Sequence, residues 1–171
     1  MKNTFFILLI TMFTFSNFNA QENADAVLKN AIATAKKENK KAMLFFHASW
    51  CGWCKLMEKN MQADETKTFF SRNFILAPVD VLEQGEKKKL ENPGGEALME
   101  KYKGKNAGVP FWVIFDGNGN VLTDSFDDKG QNLGSPATPE EVETFITKLQ
   151  KTTDITAEEI TAVQKVFTKK N

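Results

Sequence analysis

Apolar positions along the chain switch between two spacings, and the switches mark out the elements. Residues 24–38 set Val27, Leu28, Ala31, Ile32 and Ala35 on one stripe, the spacing of an amphipathic helix. Asn39-Lys40-Lys41 ends that helix. The run Ala42-Met43-Leu44-Phe45-Phe46-His47 has no helical polarity and predicts a buried strand. A helix is predicted from Cys51 to about Ala63, and Asp64 is placed to cap a second helical piece through Phe70. Phe74 to Asp80 reads as a strand that Pro78 assigns to an edge or an irregular position. Residues 82–95 carry Lys87-Lys88-Lys89 and the breaker Asn92-Pro93-Gly94-Gly95, which predicts a solvated surface insertion, with a short helix from Glu96 to Tyr102. Pro110 opens a strand over Phe111-Trp112-Val113-Ile114-Phe115. Asp116-Gly117-Asn118-Gly119-Asn120 then turns the chain back along Val121 to Phe126. Thr138-Pro139-Glu140-Glu141 starts a helix with Val142, Phe145, Ile146 and Leu149 on its apolar stripe. Thr156-Ala157-Glu158-Glu159 starts a last one with Ile160, Val163 and Phe167 inside. The order α-β-α-β-α-β-β-α plus a terminal helix predicts an α/β fold, a mixed sheet with helices on both faces.

The first twenty residues do not belong to this pattern. Lys2 precedes a mostly apolar stretch from Phe5 to Phe15, and Ser16-Asn17-Phe18-Asn19-Ala20 forms a polar-to-small exit. This predicts a secretory signal peptide cut after Ala20, although Phe18 departs from the small-residue rule near the cut. The apolar run is shorter than the roughly 20 residues a membrane span needs. No cysteine lies near the cut to take a lipid. The expectation is an exported, periplasmic or secreted protein without stable membrane insertion. Its single domain runs over residues 21–171, with a core at about 24–150, an insertion at about 82–108 and an extra C-terminal helix at about 156–168.

Composition narrows the function. The 171 residues carry Lys+Arg 22 and Asp+Glu 22, so no basic excess speaks for nucleic-acid binding. Two cysteines cannot make a disulfide scaffold, and two cysteines with one histidine are a poor kit for a four-ligand zinc site.

Both cysteines stand in Trp50-Cys51-Gly52-Trp53-Cys54-Lys55, after a strand and at a helix start. That placement suits a redox pair. Helix N–H groups and the helix dipole favour negative charge on the first sulfur, so Cys51 is the expected nucleophile. Cys54, one turn into the helix, is the expected resolving thiol. Two other readings compete. A purely structural disulfide closing so short a loop contributes only about 2 kcal/mol. A metal site would have to combine Cys51, Cys54, His47 and a carboxylate. On the redox reading the Cys51–Cys54 disulfide is itself the reactive group, with no metal and no further cofactor.

These residues carry a resemblance. Phe45-Phe46-His47-Ala48-Ser49-Trp50-Cys51-Gly52-Trp53-Cys54-Lys55 together with Gly108-Val109-Pro110-Phe111 resembles the thioredoxin family, over about residues 24–150. The nearest flavour is the reductase-type domain that ends bacterial membrane thiol–disulfide interchange proteins. The resemblance implies a thioredoxin fold and thiol–disulfide exchange with protein substrates. It also implies a membrane or periplasmic electron donor and a monomer. Carried over, Pro110 is cis and Val109 offers backbone hydrogen bonds to an extended substrate. Trp50, Gly52 and Trp53 then border the substrate, with Trp53 the better contact candidate.

Two departures stand out. Many family members have a buried acid six residues before the first cysteine, here Phe45, or an acid two before it, here Ser49. The usual proton acceptor is therefore missing. His47 shares strand parity with Phe45 and is the candidate replacement, against the plainer reading of a half-buried histidine held by a neighbour. Asp116-x-Asn118-x-Asn120 looks superficially like a calcium loop, but a hairpin turn explains it better. The reading is a reductase, with an oxidase or isomerase as runner-up and a non-catalytic binding module as the third possibility.

Overall fold

The structure, a computed structural model, describes residues 21–168. The expected leader at residues 1–20 lies outside them. The chain opens with α1 (Ala24–Glu38), β1 (Lys41–His47), α2 (Gly52–Met61), α3 (Lys67–Asn73) and β2 (Phe74–Asp80). It continues through a 3-10 turn at Gly85–Leu90, then α4 (Gly95–Lys101), β3 (Phe111–Phe115), β4 (Val121–Asp124), α5 (Pro139–Thr152) and α6 (Ala157–Phe167). The four strands form one mixed sheet in the order β2-β1-β3-β4. β1 pairs parallel with β2 and antiparallel with β3, and β4 runs antiparallel to β3.

The near-continuous apolar run of β1 follows from its central place, buried on both faces. Its side chains alternate. Ala42, Leu44 and Phe46 join Leu28, Ala31, Leu98, Phe111 and Val113 in one core. Met43 and Phe45 join Trp112, Ile114, Phe145, Leu149 and both cysteines in the other. Pro78 sits on β2, an edge strand, where its missing N–H costs no ladder bond.

Termini follow side-chain chemistry. Asn23 caps α1 by accepting from the Asp25 N–H at 2.9 Å, and Asn39 ends it in the left-handed conformation. Thr138 with Glu141, and Thr156 with Glu159, form complete capping boxes at α5 and α6. The Asp116 carboxylate is used up inside the β3–β4 hairpin. Its Oδ1 accepts from the Asn118 and Asn120 N–H groups, and its Oδ2 from the Asn120 amide. Gly117 is required there, because a Cβ would stand 2.9 Å from Lys36 Cα in α1.

Two expectations need correction. Asp64 does not cap the second helical piece. That helix begins at Lys67 after Thr66, and the Asp64 carboxylate instead accepts from Lys67 Nζ at 2.5 Å. The Thr66 hydroxyl donates to the Asn60 carbonyl, so a buried turn rather than a new cap separates α2 from α3. Nor is the segment after β2 simply a solvated insertion. Val81, Glu83 and Asn92 are buried, and Asn92 ties both ends, accepting from the Asp80 N–H at 2.7 Å and donating to the Glu22 carbonyl at 2.7 Å. Polar residues in a loop can serve the interior when backbone groups there need partners.

Candidate active site

Cys51 is the N-cap of α2. Its backbone is extended, and its Sγ accepts from the Cys54 N–H at 3.0 Å. The turn before it closes with the Cys51 N–H donating to the Ala48 carbonyl at 3.0 Å. The sulfur therefore sits at the positive end of a helix of 10 residues, where a thiolate is favoured. Cys51 and Cys54 are joined in a disulfide, with S–S 2.10 Å and Cα–Cα 5.3 Å. Both are buried, whereas Gly52 and Trp53 between them are exposed and border the open side of the pair.

The loop before β3 faces the sulfurs. The Val109–Pro110 peptide is cis, and the Val109 carbonyl oxygen lies 3.4 Å from Cys51 Sγ. Asn132 holds this loop. Its amide donates to the Ala107 carbonyl at 3.0 Å and the Pro110 carbonyl at 2.9 Å. Its Oδ1 accepts from the Ser125 hydroxyl at 2.6 Å and the Gly134 N–H at 3.1 Å. Truncation strands all four partners. Asn132→Ala is expected to lower unfolding stability by about 2 kcal/mol, read from urea denaturation; a loss under about 0.5 kcal/mol would show that solvent replaces the amide.

A cavity of about 260 Å³ runs from the Trp53 indole past Val109 and Pro110 to Leu133, Ser135 and Glu141. Trp50 and Trp53 are each about half exposed. Trp50 is not free to swing, since its indole N–H donates to the Leu82 carbonyl at 2.7 Å.

His47 follows the parity of Phe45, and the two rings lie 5.6 Å apart. Both its nitrogens face carboxylates: Nδ1 is 3.3 Å from Glu58 of α2, and Nε2 is 3.4 Å from Asp80 of β2. The histidine thus ties the cysteine-bearing helix to the edge strand. Among the described residues no group of His, Cys, Asp and Glu is placed to hold a metal ion.

A buried acid stands beside Ser49, though not at position 45 or 49. Glu83 is buried, and its carboxylate accepts from the Ser49 N–H at 2.5 Å and the Ser49 hydroxyl at 2.9 Å. Burial pushes its carboxyl up. The Ser49 bonds and the nearby Lys87 and His47 charges outweigh this and hold it below the usual glutamate range. Its ionised form therefore stabilises the fold above the ordinary glutamate pKa, and that contribution is lost as pH falls through the lowered folded value. Sequence reasoning missed Glu83, Glu58, Asp80 and Asn132. None of them lies on a periodic stripe, and their roles depend on pairings across 11 to 34 residues.

The model of the thioredoxin-like domain family matches residues 28–125, more than half of the chain. The chain belongs to the thioredoxin-like family. With a disulfide at Cys-x-x-Cys spacing, this thioredoxin-like protein is a thiol–disulfide oxidoreductase. Among solved structures it is similar to the disulphide isomerase from Xylella fastidiosa Temecula1. The identity is 21% and the TM-score 0.51, over 67% of this chain and 89% of that one, a likeness of fold. It is also similar to the C-terminal domain of Neisseria meningitidis DsbD in its oxidised form, at 24% identity and TM-score 0.48, over 78% of this chain and 100% of that one. A third similar structure is that of a DsbH oxidoreductase, at 25% identity and TM-score 0.44, over 76% of this chain and 83% of that one. No curated protein sequence matches the chain. The family match stops at Ser125, so α5 and α6 of this thioredoxin-like protein lie beyond it. No helix among the described residues is long and apolar enough to cross a membrane.

Proposed function

We propose that this chain is an exported, monomeric reductase of protein disulfides. The observation that carries the reading is a Cys51–Cys54 disulfide seated at the N-terminus of α2 and facing the Val109 carbonyl of the Gly108–Pro110 loop. In the reduced protein, the Cys51 thiolate attacks one sulfur of a client disulfide. A Cys51–client bond forms, and the client's other sulfur leaves as a thiolate that takes up a proton. Cys54 then loses its proton and attacks Cys51 Sγ, which restores the Cys51–Cys54 bond and releases the second client thiol. The client gains two electrons and two protons, and the enzyme becomes the disulfide. An external dithiol, from a membrane or periplasmic donor, regenerates the pair by the reverse exchange.

The substrate backbone lies along Val109 and Pro110, and Gly52, Trp50 and Trp53 border it. Trp53 and the adjoining cavity receive client side chains, since an exposed indole at a concave edge is a strong contact group. Export follows from the expected leader and the charge-free apolar stretch that carries it. His47 acts here as a brace between α2 and β2, with its ring nitrogens 3.3 Å from Glu58 and 3.4 Å from Asp80.

The test is the reduction potential of the Cys51–Cys54 pair in the protein without its leader, equilibrated against glutathione. A value near about −270 mV is expected for a reductase. A value near about −120 mV would overturn the direction and make the protein a disulfide oxidant.

A further inference from the structure

The segment after β2 carries a charge that the exchange steps above do not use. Leu82 has φ 55°, the left-handed region that a bulky side chain enters only under strain. Next to it, Glu83 is 3% exposed, a level that ionised carboxylates almost never reach without partners. The strained turn clasps the approach to Cys51 at two points. The Leu82 carbonyl holds the Trp50 indole, and the Glu83 carboxylate holds both the N–H and the hydroxyl of Ser49. Glu91 secures the clasp by accepting from the Glu83 N–H at 2.7 Å, and Lys87 Nζ donates to Ser49 Oγ at 3.0 Å from the solvent side. Every bond the Glu83 side chain makes therefore goes to the residue two before Cys51, at most about 7 Å away along the chain.

We propose that Glu83 is a positioning residue for Cys51. Its buried carboxylate fixes the Ser49–Trp50 turn that presents the sulfur. It also holds a buried negative charge against the residue two before that sulfur, so the thiolate is less favoured and the disulfide is harder to reduce. The inference deepens the reductase reading and rests on it. A like charge nearby raises a thiol's pKa, and destabilising the reduced thiolate makes the couple more reducing. Lys87 opposes this, but it is exposed and screened by solvent, whereas the buried carboxylate is screened much less. The other charged or titratable groups facing Glu83 are His47 on β1, itself flanked by Glu58 and Asp80, and Glu91 after the 3-10 turn.

The experiment compares the leaderless protein with Glu83→Gln, which keeps a carbonyl acceptor for the Ser49 N–H, turns its second oxygen into an amide donor toward the Ser49 hydroxyl and removes the charge, and with the surface variant Lys87→Met. Reduced samples are alkylated with iodoacetamide from pH 5 to 10 to titrate Cys51. Each is also equilibrated with glutathione, where enzyme dithiol plus oxidised glutathione gives enzyme disulfide plus two reduced glutathiones. Glu83→Gln is expected to raise the thiolate fraction of Cys51 at pH 6 three- to tenfold and to shift the glutathione equilibrium toward the dithiol by a similar factor. Lys87→Met is expected to move both readouts the opposite way. Unchanged Cys51 titration in a folded Glu83→Gln protein overturns the proposal. Should that variant fail to fold, Glu83→Asp, which keeps a carboxylate but draws it back from Ser49, takes its place, and an unchanged Cys51 titration in it overturns the proposal. These are differences between variants, so they stand or fall separately from the absolute potential that decides between reductase and oxidant.

Discussion

Cys51→Ala is expected to abolish disulfide exchange, lowering the rate by at least about 1,000-fold, because the attacking sulfur has no substitute in the site. Cys54→Ala should behave differently. Its Cys51 still attacks, but the mixed disulfide has no resolving thiol and accumulates. Buried Cys54 is one helical turn from Cys51, with its N–H already on the Cys51 sulfur, and no other cysteine exists in the chain to replace it. The measurement is non-reducing electrophoresis of extracts from cells exporting each variant. Higher-mass adducts cleared by dithiothreitol should appear for Cys54→Ala and be absent for Cys51→Ala and for the double variant. Equal adducts from the two single variants would assign the roles of the sulfurs wrongly. No adducts from either, with partners still captured by the double variant, would favour a binding module whose disulfide is structural.

The same site shows what could be read from the sequence and what could not. The Cys51–Cys54 pair is legible because its chemistry is local, a spacing of three residues after an apolar run, whereas the cis Val109–Pro110 peptide is legible only through the family resemblance. Two features of the sheet are legible in the same way, though its strand order is not. β1 is apolar from Ala42 to Phe46 because it lies between β2 and β3, and Pro78 falls on the edge strand β2. The residues that hold the site in place carry no local signature. Glu83 reads as one charged residue in a charged, breaker-rich stretch. It becomes a buried carboxylate only because the left-handed Leu82 turns the chain back over Ser49. Asn132 reads as a loop residue, yet it satisfies four polar groups around the loop that faces Cys51. His47 is legible in its parity, which puts it on the Phe45 side of the sheet. Its partners are not, since Glu58 and Asp80 reach it from separate elements. Periodicity records which face of an element meets the core, and hydrogen bonds between loops leave no periodic trace.

Phe145→Ala is expected to destabilise the protein by about 3–5 kcal/mol, the usual cost of emptying a buried aromatic site. Phe145 has no exposed surface and stands where four elements meet. Its ring lies 5.5 Å from Trp112 of β3, 6.4 Å from Phe70 of α3 and 5.3 Å from Phe167 of α6. None of these neighbours is free to collapse into the space. Trp112 is pinned by its indole N–H on the Gly134 carbonyl at 3.0 Å, and α6 is tied at its start by the capping box and by Arg72 on Glu159 at 2.8 Å. Phe167 closes the same cluster from beyond the family match, which makes α6 part of the core rather than an appendage. Phe167→Ala should therefore cost a comparable amount. The double variant should cost less than the two single losses together, because both open one shared cavity. Urea denaturation of the oxidised proteins reads all three values. A loss below about 1 kcal/mol for Phe145→Ala, or strict additivity in the double variant, would show that α6 packs independently of α5 and that the aromatic cluster is not one unit.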